Sequence, residues 1–334
     1  METKFSLIIP TFNRANLLET SLNSIKKLTQ KDLIKEVIIC DSNSTDNTSE
    51  IINASSKKFP QIDFLHLHTI NNISKKRNLG IESANSDFLL FIDDDCELHA
   101  DCVERHLNVL SKFKKHIVSG KVVFPKNQIE ISNYIRYRDS RHRYADELTE
   151  GKDQLDYKQI VTMNMSARKS ELVENNLFFD ESFLSYGMED NDFGYRAQEK
   201  GFSLSFTQGT ITHHDRHTFL TFKKKIFSTA RDGTYTFMQK SPEAIWEFYY
   251  SNYLEKQYPH KSFLSKFKSI FIRFLLFDFL ASLLTQIVLA TDNYKFLYCV
   301  IFYRYILAVE FLKGANKREQ RYASQEEIKG GFFD

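Results

Sequence analysis

Asp93, Asp94 and Asp95 stand side by side at the end of the apolar run 88–92, and three adjacent carboxylates after a buried strand repel one another. Two unit charges about 4 Å apart interact by roughly 4 kcal/mol at an effective dielectric near 20, so the cluster calls for a cation or open solvent. Hard oxygen donors suit Mg²⁺ or Mn²⁺, ions that also bind phosphate oxygens. A solvated acidic turn is the plainer alternative. A second acidic group, Glu189, Asp190 and Asp192, follows Tyr186 and Gly187 at what reads as a helix start. There the free amides and the helix dipole stabilise carboxylates, so simple capping competes with a chemical role. His213, His214 and His217 crowd together after a strand-like segment, and imidazole suits Mn²⁺ better than Mg²⁺.

Elements must bring these groups together. Short apolar runs at 5–9, 36–40, 63–68 and 88–92 alternate with helical stretches at about 16–28, 48–56 and 74–84. This βαβ pattern, with apolar rather than alternating strands, predicts a Rossmann-like α/β sheet, mostly parallel and covered on both faces. Ligands of such sheets bind beyond the carboxyl ends of the strands. Three such ends are polar here: Pro10 to Arg14, Asp41 to Asp46, and Asp93 to Asp95, and the topology places them at one crevice. Further strands are expected at 117–124, 160–166, 202–206 and 210–214. The Tyr/Arg-rich stretch 134–144 reads as a mobile loop, and a helix from Glu189 to about Lys200 stops at Gly201.

The 334 residues, 42% hydrophobic and 26% charged, describe a folded chain with room for one large core or two modest ones. Lys+Arg 45 against Asp+Glu 43 leaves +2, which gives no global attraction to nucleic acid. Four scattered cysteines form no CxxC pair and fit a reducing cytosol, and the first residues lack a signal-peptide pattern.

Taken together, the segments Ile8-Ile-Pro-Thr-Phe-Asn13, Glu36-Val-Ile-Ile-Cys-Asp-Ser-Asn-Ser-Thr-Asp46, Lys76-Arg-Asn-Leu-Gly80, Phe91-Ile-Asp-Asp-Asp95, Gly187-Met-Glu-Asp-Asn-Asp-Phe-Gly-Tyr-Arg196 and the histidine cluster resemble the nucleotide-sugar-binding glycosyltransferases of family 2. The resemblance runs over roughly residues 4 to 218 and implies the GT-A fold. It puts Asp93 to Asp95 at the DXD position, with Asp95 and Asp93 on a divalent metal, Mn²⁺ or Mg²⁺, and Asp93 and Asp94 beside the nucleotide sugar. His213 or His214 is then a further metal ligand. Pro10, Thr11, Asn13 and Arg14 would surround the nucleotide, although Asn13 is also a natural helix cap. Asp41 would accept a hydrogen bond from the base, or else close an Asx-turn. Where the family often has a second acid and a glycine, this chain has Ser42 and Asn43. Arg77 would offer planar donors to phosphate or base oxygens. Asp190 would be the catalytic base of an inverting transfer, with Glu189 and Asp192 near the acceptor, although Arg196 can pair with Asp192 at i,i+4.

From 219 onward the chain becomes aromatic and basic. One apolar stretch runs from Ser269 to Ala290 with Arg273 and Asp278 inside it, and a second from Tyr294 to Leu312 with Arg304 and Glu310. Each charge costs about 2.5 to 3.5 kcal/mol near a bilayer centre, which disfavours spanning. Flanking Lys261, Lys266, Lys268, Lys313, Lys317, Arg318 and Arg321 favour attachment to an anionic membrane surface, with a soluble dimerisation or core segment as the alternative. The expected organisation is a catalytic domain over 1–218, its donor half about 1–125 and acceptor half about 126–218, followed by a helical extension over 219–334. The expected protein is cytoplasmic, peripheral on the inner membrane face, and moves a sugar from a UDP-type donor to a glycan or lipid-linked acceptor. A sugar-phosphate nucleotidyltransferase would use the same metal, but the chain lacks a glycine-rich basic loop near its start. A membrane-bound scaffold with a degenerate site would not need the whole motif set.

Overall fold

Phe5, Leu7 and Ile9 face one hydrophobic cluster while Ile8 faces another, so strand β1 (Phe5–Thr11) is apolar on both sides and fits only between two layers. Strands β2 (Ile34–Asp41) and β4 (Phe88–Ile92) alternate in the same way: Val37 and Ile39 against Ile38 and Cys40, Leu90 and Ile92 against Leu89 and Phe91. The computed structural model describes residues 3–151, 154–215, 217–248 and 277–317. Its other strands are β3 (Asp63–His68), β5 (Cys96–Leu98), β6 (His116–Val123), β7 (Asn164–Arg168) and β8 (Ser203–His213). Among the described residues they form one eight-stranded sheet in the order β3, β2, β1, β4, β7, β6, β8, β5. Helices α1 (Ala15–Ser24), α2 (Thr48–Lys58) and α4 (Cys102–Leu110) cover one face. The other is covered by α3 (Ile73–Ser83), α7 (Lys169–Glu174) and α8 (Glu189–Glu199).

Strands β1 to β4 pair in parallel, as the apolar runs predict. Beyond them β7 runs antiparallel to β4 and β6, β8 parallel to β6, and β5 antiparallel to β8, so the sheet is mixed. The two closing strands expected at 202–206 and 210–214 are a single strand. Its pairing with β6 skips between Gly120 and Lys121, where Thr207 and then Thr210 are the partners. Asn164 fills the irregularity, donating from its side-chain amide to the carbonyls of Lys121 (3.0 Å) and Gly209 (2.9 Å). A Cβ on Gly120 would sit 2.2 Å from that amide nitrogen, so glycine is required there.

The stretch 134–144 is not a loop. It follows α5 (Lys126–Ile131) as α6 (Asn133–Ser140) and a 3₁₀ turn at Arg143–Asp146. Tyr134, Ile135 and Tyr137 are buried in a third cluster with Phe219, Phe222, Tyr303 and Ile306, and Tyr137 stacks on Tyr303 at 5.0 Å between ring centres. Partners more than eighty residues away supply this burial.

After β8 the chain continues as α9 (Phe219–Ser228), one turn of π-helix at Thr229–Gly233, and α10 (Thr234–Lys240), and later as α11 (Asp278–Ala290) and α12 (Val300–Asn316). Glycines set the close approaches here. A Cβ on Gly314 would meet the Phe227 carbonyl oxygen at 2.2 Å, and one on Gly233 would meet the Gly187 oxygen at 2.2 Å. No described helix is long and apolar enough to cross a membrane. Residues 269–276 of the first apolar stretch, together with Lys261, Lys266, Lys268, Arg273, Arg318 and Arg321, lie outside the described residues.

Candidate active site

Beyond the carboxyl ends of β1, β2 and β4 the three polar segments meet. Pro10 lies opposite Cys40 in the β1–β2 ladder, and Thr11 donates from its hydroxyl to Asp94 Oδ2 at 2.7 Å. Arg14 reaches Asp94 Oδ1 with Nη1 at 2.9 Å and Asp95 Oδ2 with Nη2 at 2.6 Å. Asn13 adopts a left-handed conformation (φ 52°) and holds the second segment: its amide donates to Ser44 Oγ and its Oδ1 accepts from Thr45 N. It does not cap α1. Asp46 does so from across the crevice, accepting from Ala15 N at 2.9 Å.

The aspartates diverge rather than cluster. Asp94 is fully buried and turned toward β1, Asp95 is buried beside His213, and Asp93 keeps a quarter of its side chain exposed. Their mutual repulsion is therefore met by three protein cations: Arg14, Arg77 and His213. Burial raises Asp94 and Asp93 above the usual carboxylate range, against the pull of Arg14 and Arg77 respectively. Burial also opposes ionisation of Asp95, but His213 and Arg14 outweigh it and hold Asp95 well below that range. His213 rises in turn, because Asp95 outweighs its desolvation.

His213 and His214 now separate. His213 closes β8 opposite Cys96, with Nε2 at 3.4 Å from Asp95 Oδ2, whereas His214 turns to Glu97 at 2.8 Å. For the divalent metal that the resemblance implies, the donor types fit, with Asp95 beside the imidazole of His213, whose buried Nδ1 has no partner among the described residues, while Asp93 is turned to Arg77.

Arg77 joins the two acidic groups. Buried on α3 and lying over the Phe179 ring at 5.3 Å, it reaches Asp93 Oδ1 with Nη2 at 3.4 Å. Its Nη1 lies 3.1 Å from Asp190 Oδ1 and 3.5 Å from Glu189 Oε1. Asp190 is further gripped by Thr162, through the hydroxyl to Oδ1 at 2.7 Å and the amide to Oδ2 at 3.2 Å, and keeps about a quarter of its side chain exposed. Helix α8 starts after Gly187 (φ 98°) and Met188 (φ 77°), and no side chain caps it. Asp190 is not used as a cap, turning instead to Thr162 and Arg77, while the Glu189 carboxylate also meets its own amide. Burial, then the neighbouring Asp190, pushes Glu189 up to about 8. Asp192 is not part of this group: fully buried, it pairs with Arg196 at 2.7 Å.

On the other flank Asp41 does close the turn, accepting from Ser44 N at 3.1 Å and from Ser44 Oγ at 2.6 Å. Its Oδ2 faces His66 Nε2 at 3.1 Å and His68 Nδ1 at 3.8 Å. Four contributors escaped the sequence reading: Thr162, Asp46, His66 and Lys76. Thr162 carries no local signal, whereas Asp46 and Lys76 stand in segments that the resemblance includes but were given no role. Lys76 is fully buried and donates from Nζ to the Thr11 carbonyl at 2.9 Å, and burial lowers it to about 7.

Residues 6–169 match the family model described as glycosyl transferase family 2. A glycosyltransferase named AglE from Haloferax volcanii is 28% identical over 229 residues, covering 68% of this chain and 71% of that protein. A Campylobacter jejuni GalNAc(5)-diNAcBac-PP-undecaprenol beta-1,3-glucosyltransferase is 31% identical over 36% of this chain and 38% of its own. The poly(ribitol-phosphate) beta-N-acetylglucosaminyltransferase TarP of Staphylococcus aureus is 31% identical over 35% and 36%. With the sheet, the crevice and these matches in hand, the chain belongs to glycosyltransferase family 2 and carries its GT-A fold.

Proposed function

We propose that the protein transfers a sugar, with inversion, from a nucleoside diphosphate sugar to a glycan or lipid-linked glycan acceptor in surface-polysaccharide synthesis. One observation carries this reading: Arg77 ties Asp93 on the donor side to Asp190 on the acceptor side through a single guanidinium, at 3.4 and 3.1 Å. Both carboxylates therefore lie within reach of one guanidinium, and each keeps about a quarter of its side chain exposed. Asp41 would receive the base, and Thr11, Asn13 and Arg14 shape the wall between base and diphosphate. Asp93, Asp95 and His213 would hold Mn²⁺ or Mg²⁺, which when bound neutralises charge on the departing diphosphate.

Asp190 takes the acceptor hydroxyl's proton while that oxygen attacks the anomeric carbon; the bond to the diphosphate oxygen breaks on the opposite face. Thr162 and Arg77 fix the carboxylate's direction, and the part of Asp190 left exposed is the part an acceptor can reach. Glu189, expected near the acceptor, is instead buried behind Asp190 with Oε1 3.5 Å from Arg77 Nη1, so it supports the guanidinium that holds Asp190. The relatives' names support the acceptor class: one acts on an undecaprenol-linked glycan and another on poly(ribitol-phosphate). A membrane-side location is supported by Phe277, Phe279, Leu283, Tyr294, Phe296 and Ile301, exposed apolar side chains on or beside α11 and α12.

A panel of UDP-, GDP- and CDP-sugars, assayed with Mn²⁺ or Mg²⁺ for thermal stabilisation and turnover, tests the reading. One donor class should stabilise the protein and be consumed. Asp190→Asn should keep that stabilisation and lose about 10²- to 10⁴-fold in kcat. Binding of no nucleotide sugar, or full turnover by Asp190→Asn, overturns it.

A further inference from the structure

We propose that Asp41, His66 and His68 form a second cation site, for Zn²⁺ or a similar late first-row ion, distinct from the aspartate triplet. His66 and His68 are two apart on β3 and so share one face of the sheet, with His68 directly opposite Asp41 in the β2–β3 register. Their rings lie 4.4 Å apart. The three donor atoms all fall within 4.8 Å of one another. Bonds of about 2.0–2.2 Å to a tetrahedral ion put ligand atoms roughly 3.4 Å apart, which a rotation of the half-exposed His68 ring achieves.

Burial grades across the site as an open metal centre requires. Asp41 is 1% exposed and pinned from its other side by Ser44, while the side chains of His66 and His68 are 20% and 52% exposed. The protein thus supplies three ligands and leaves the fourth position to solvent. Two imidazoles and one carboxylate suit Zn²⁺ rather than Mg²⁺. His66 binds as neutral imidazole through Nε2, its remaining N–H on Nδ1. Strand β1 separates the site from β4, and two strand spacings make roughly 10 Å, so the two sites share no ligand.

Occupancy has a consequence that rests on the reading of Asp41 as the base contact. A cation on Asp41 takes the carboxylate that the base needs, so Zn²⁺ here excludes the donor, whereas an ion at the triplet assists it. Zn²⁺ titration of the metal-free full chain, by calorimetry and by Co²⁺ absorption as a spectroscopic stand-in, tests the site. One ion should bind here, in addition to any the triplet takes, and His68→Asn should weaken it by about tenfold or more, with His66→Gln as a second variant. Asp95→Asn should leave that ion in place. Binding indifferent to both histidine variants, or lost in Asp95→Asn, overturns the site. UDP, GDP and CDP are then added in turn: the nucleotide that binds should displace Zn²⁺. Zinc binding that persists alongside bound nucleotide overturns the exclusion and the base contact of Asp41 without touching the site.

Discussion

Glu189 shows how one buried carboxylate changes role with its surroundings. Desolvation and Asp190 raise it from 4.5 to about 8, so it is neutral where most carboxylates are charged. Its folded pKa lies above its unfolded one. The stability linked to its proton is therefore complete below about pH 4.5 and disappears as pH rises through about 8. At 1.36 kcal/mol per unit the total is below about 5 kcal/mol. Glu189→Gln should flatten the fall in melting temperature between pH 5 and 9, and a fall as steep as that of the unsubstituted protein would rule out Glu189 as its source. At this scale the sequence revealed chemistry better than geometry. The resemblance named Asp93, Asp95, Arg77 and Asp190; Arg77 meets Asp93 and Asp190, whereas Asp95 turns to Arg14 and His213. Repulsion in the triplet was also foreseeable, but not that Arg14, Arg77 and His213 would answer it, because α1, α3 and β8 deliver those cations from distant parts of the chain. Thr162 was invisible for the same reason.

At the scale of elements, β1 to β4 announce themselves through unbroken apolar runs, and their observed limits fall within about two residues of expectation. The failures have a common cause. Residues 134–144 looked polar and loop-like because the aromatics that bury them lie on α9 and α12, and β8 looked like two strands because Gln208 and Gly209 interrupt its apolar pattern. Asn164 repairs that interruption, and it also accepts from His106 Nε2 at 2.9 Å. Burial drops His106 to about 4, so the imidazole is neutral and donates one proton to Asn164. Asn164→Ala would leave two carbonyls and this N–H unpaired, each worth about 1–3 kcal/mol. Urea unfolding should show a loss of at least about 2 kcal/mol with unchanged slope; a loss under half that would mean other groups or water satisfy the break.

For the molecule as a whole, the two cores of the sheet meet a third cluster shared between α6 and the C-terminal helices. The outer side of α11 and of the turn that joins it to α12 is apolar: Phe279 is 82% and Phe296 83% exposed. Burying one Phe at a lipid surface is worth about 1.5–3 kcal/mol, so Phe279→Ser with Phe296→Ser should reduce partition onto anionic vesicles at least tenfold in flotation. Equal partition would assign the patch to something other than lipid.

The glycine contacts give the same helices a second significance. Gly314 lets α12 lie on Phe227, and the π-helical turn that follows α9 sets Gly233 against Gly187, one residue from the left-handed Met188 that launches Glu189 and Asp190. Helices α9 and α12 and the π-helical turn are thus a buttress for the turn that starts α8 and carries Asp190. Amide exchange at 187–190 should report on the docking of a helix more than a hundred residues further along the chain, and a fragment ending at 218 would keep Arg77, Glu189 and Asp190 while losing the surface that holds the last two in place.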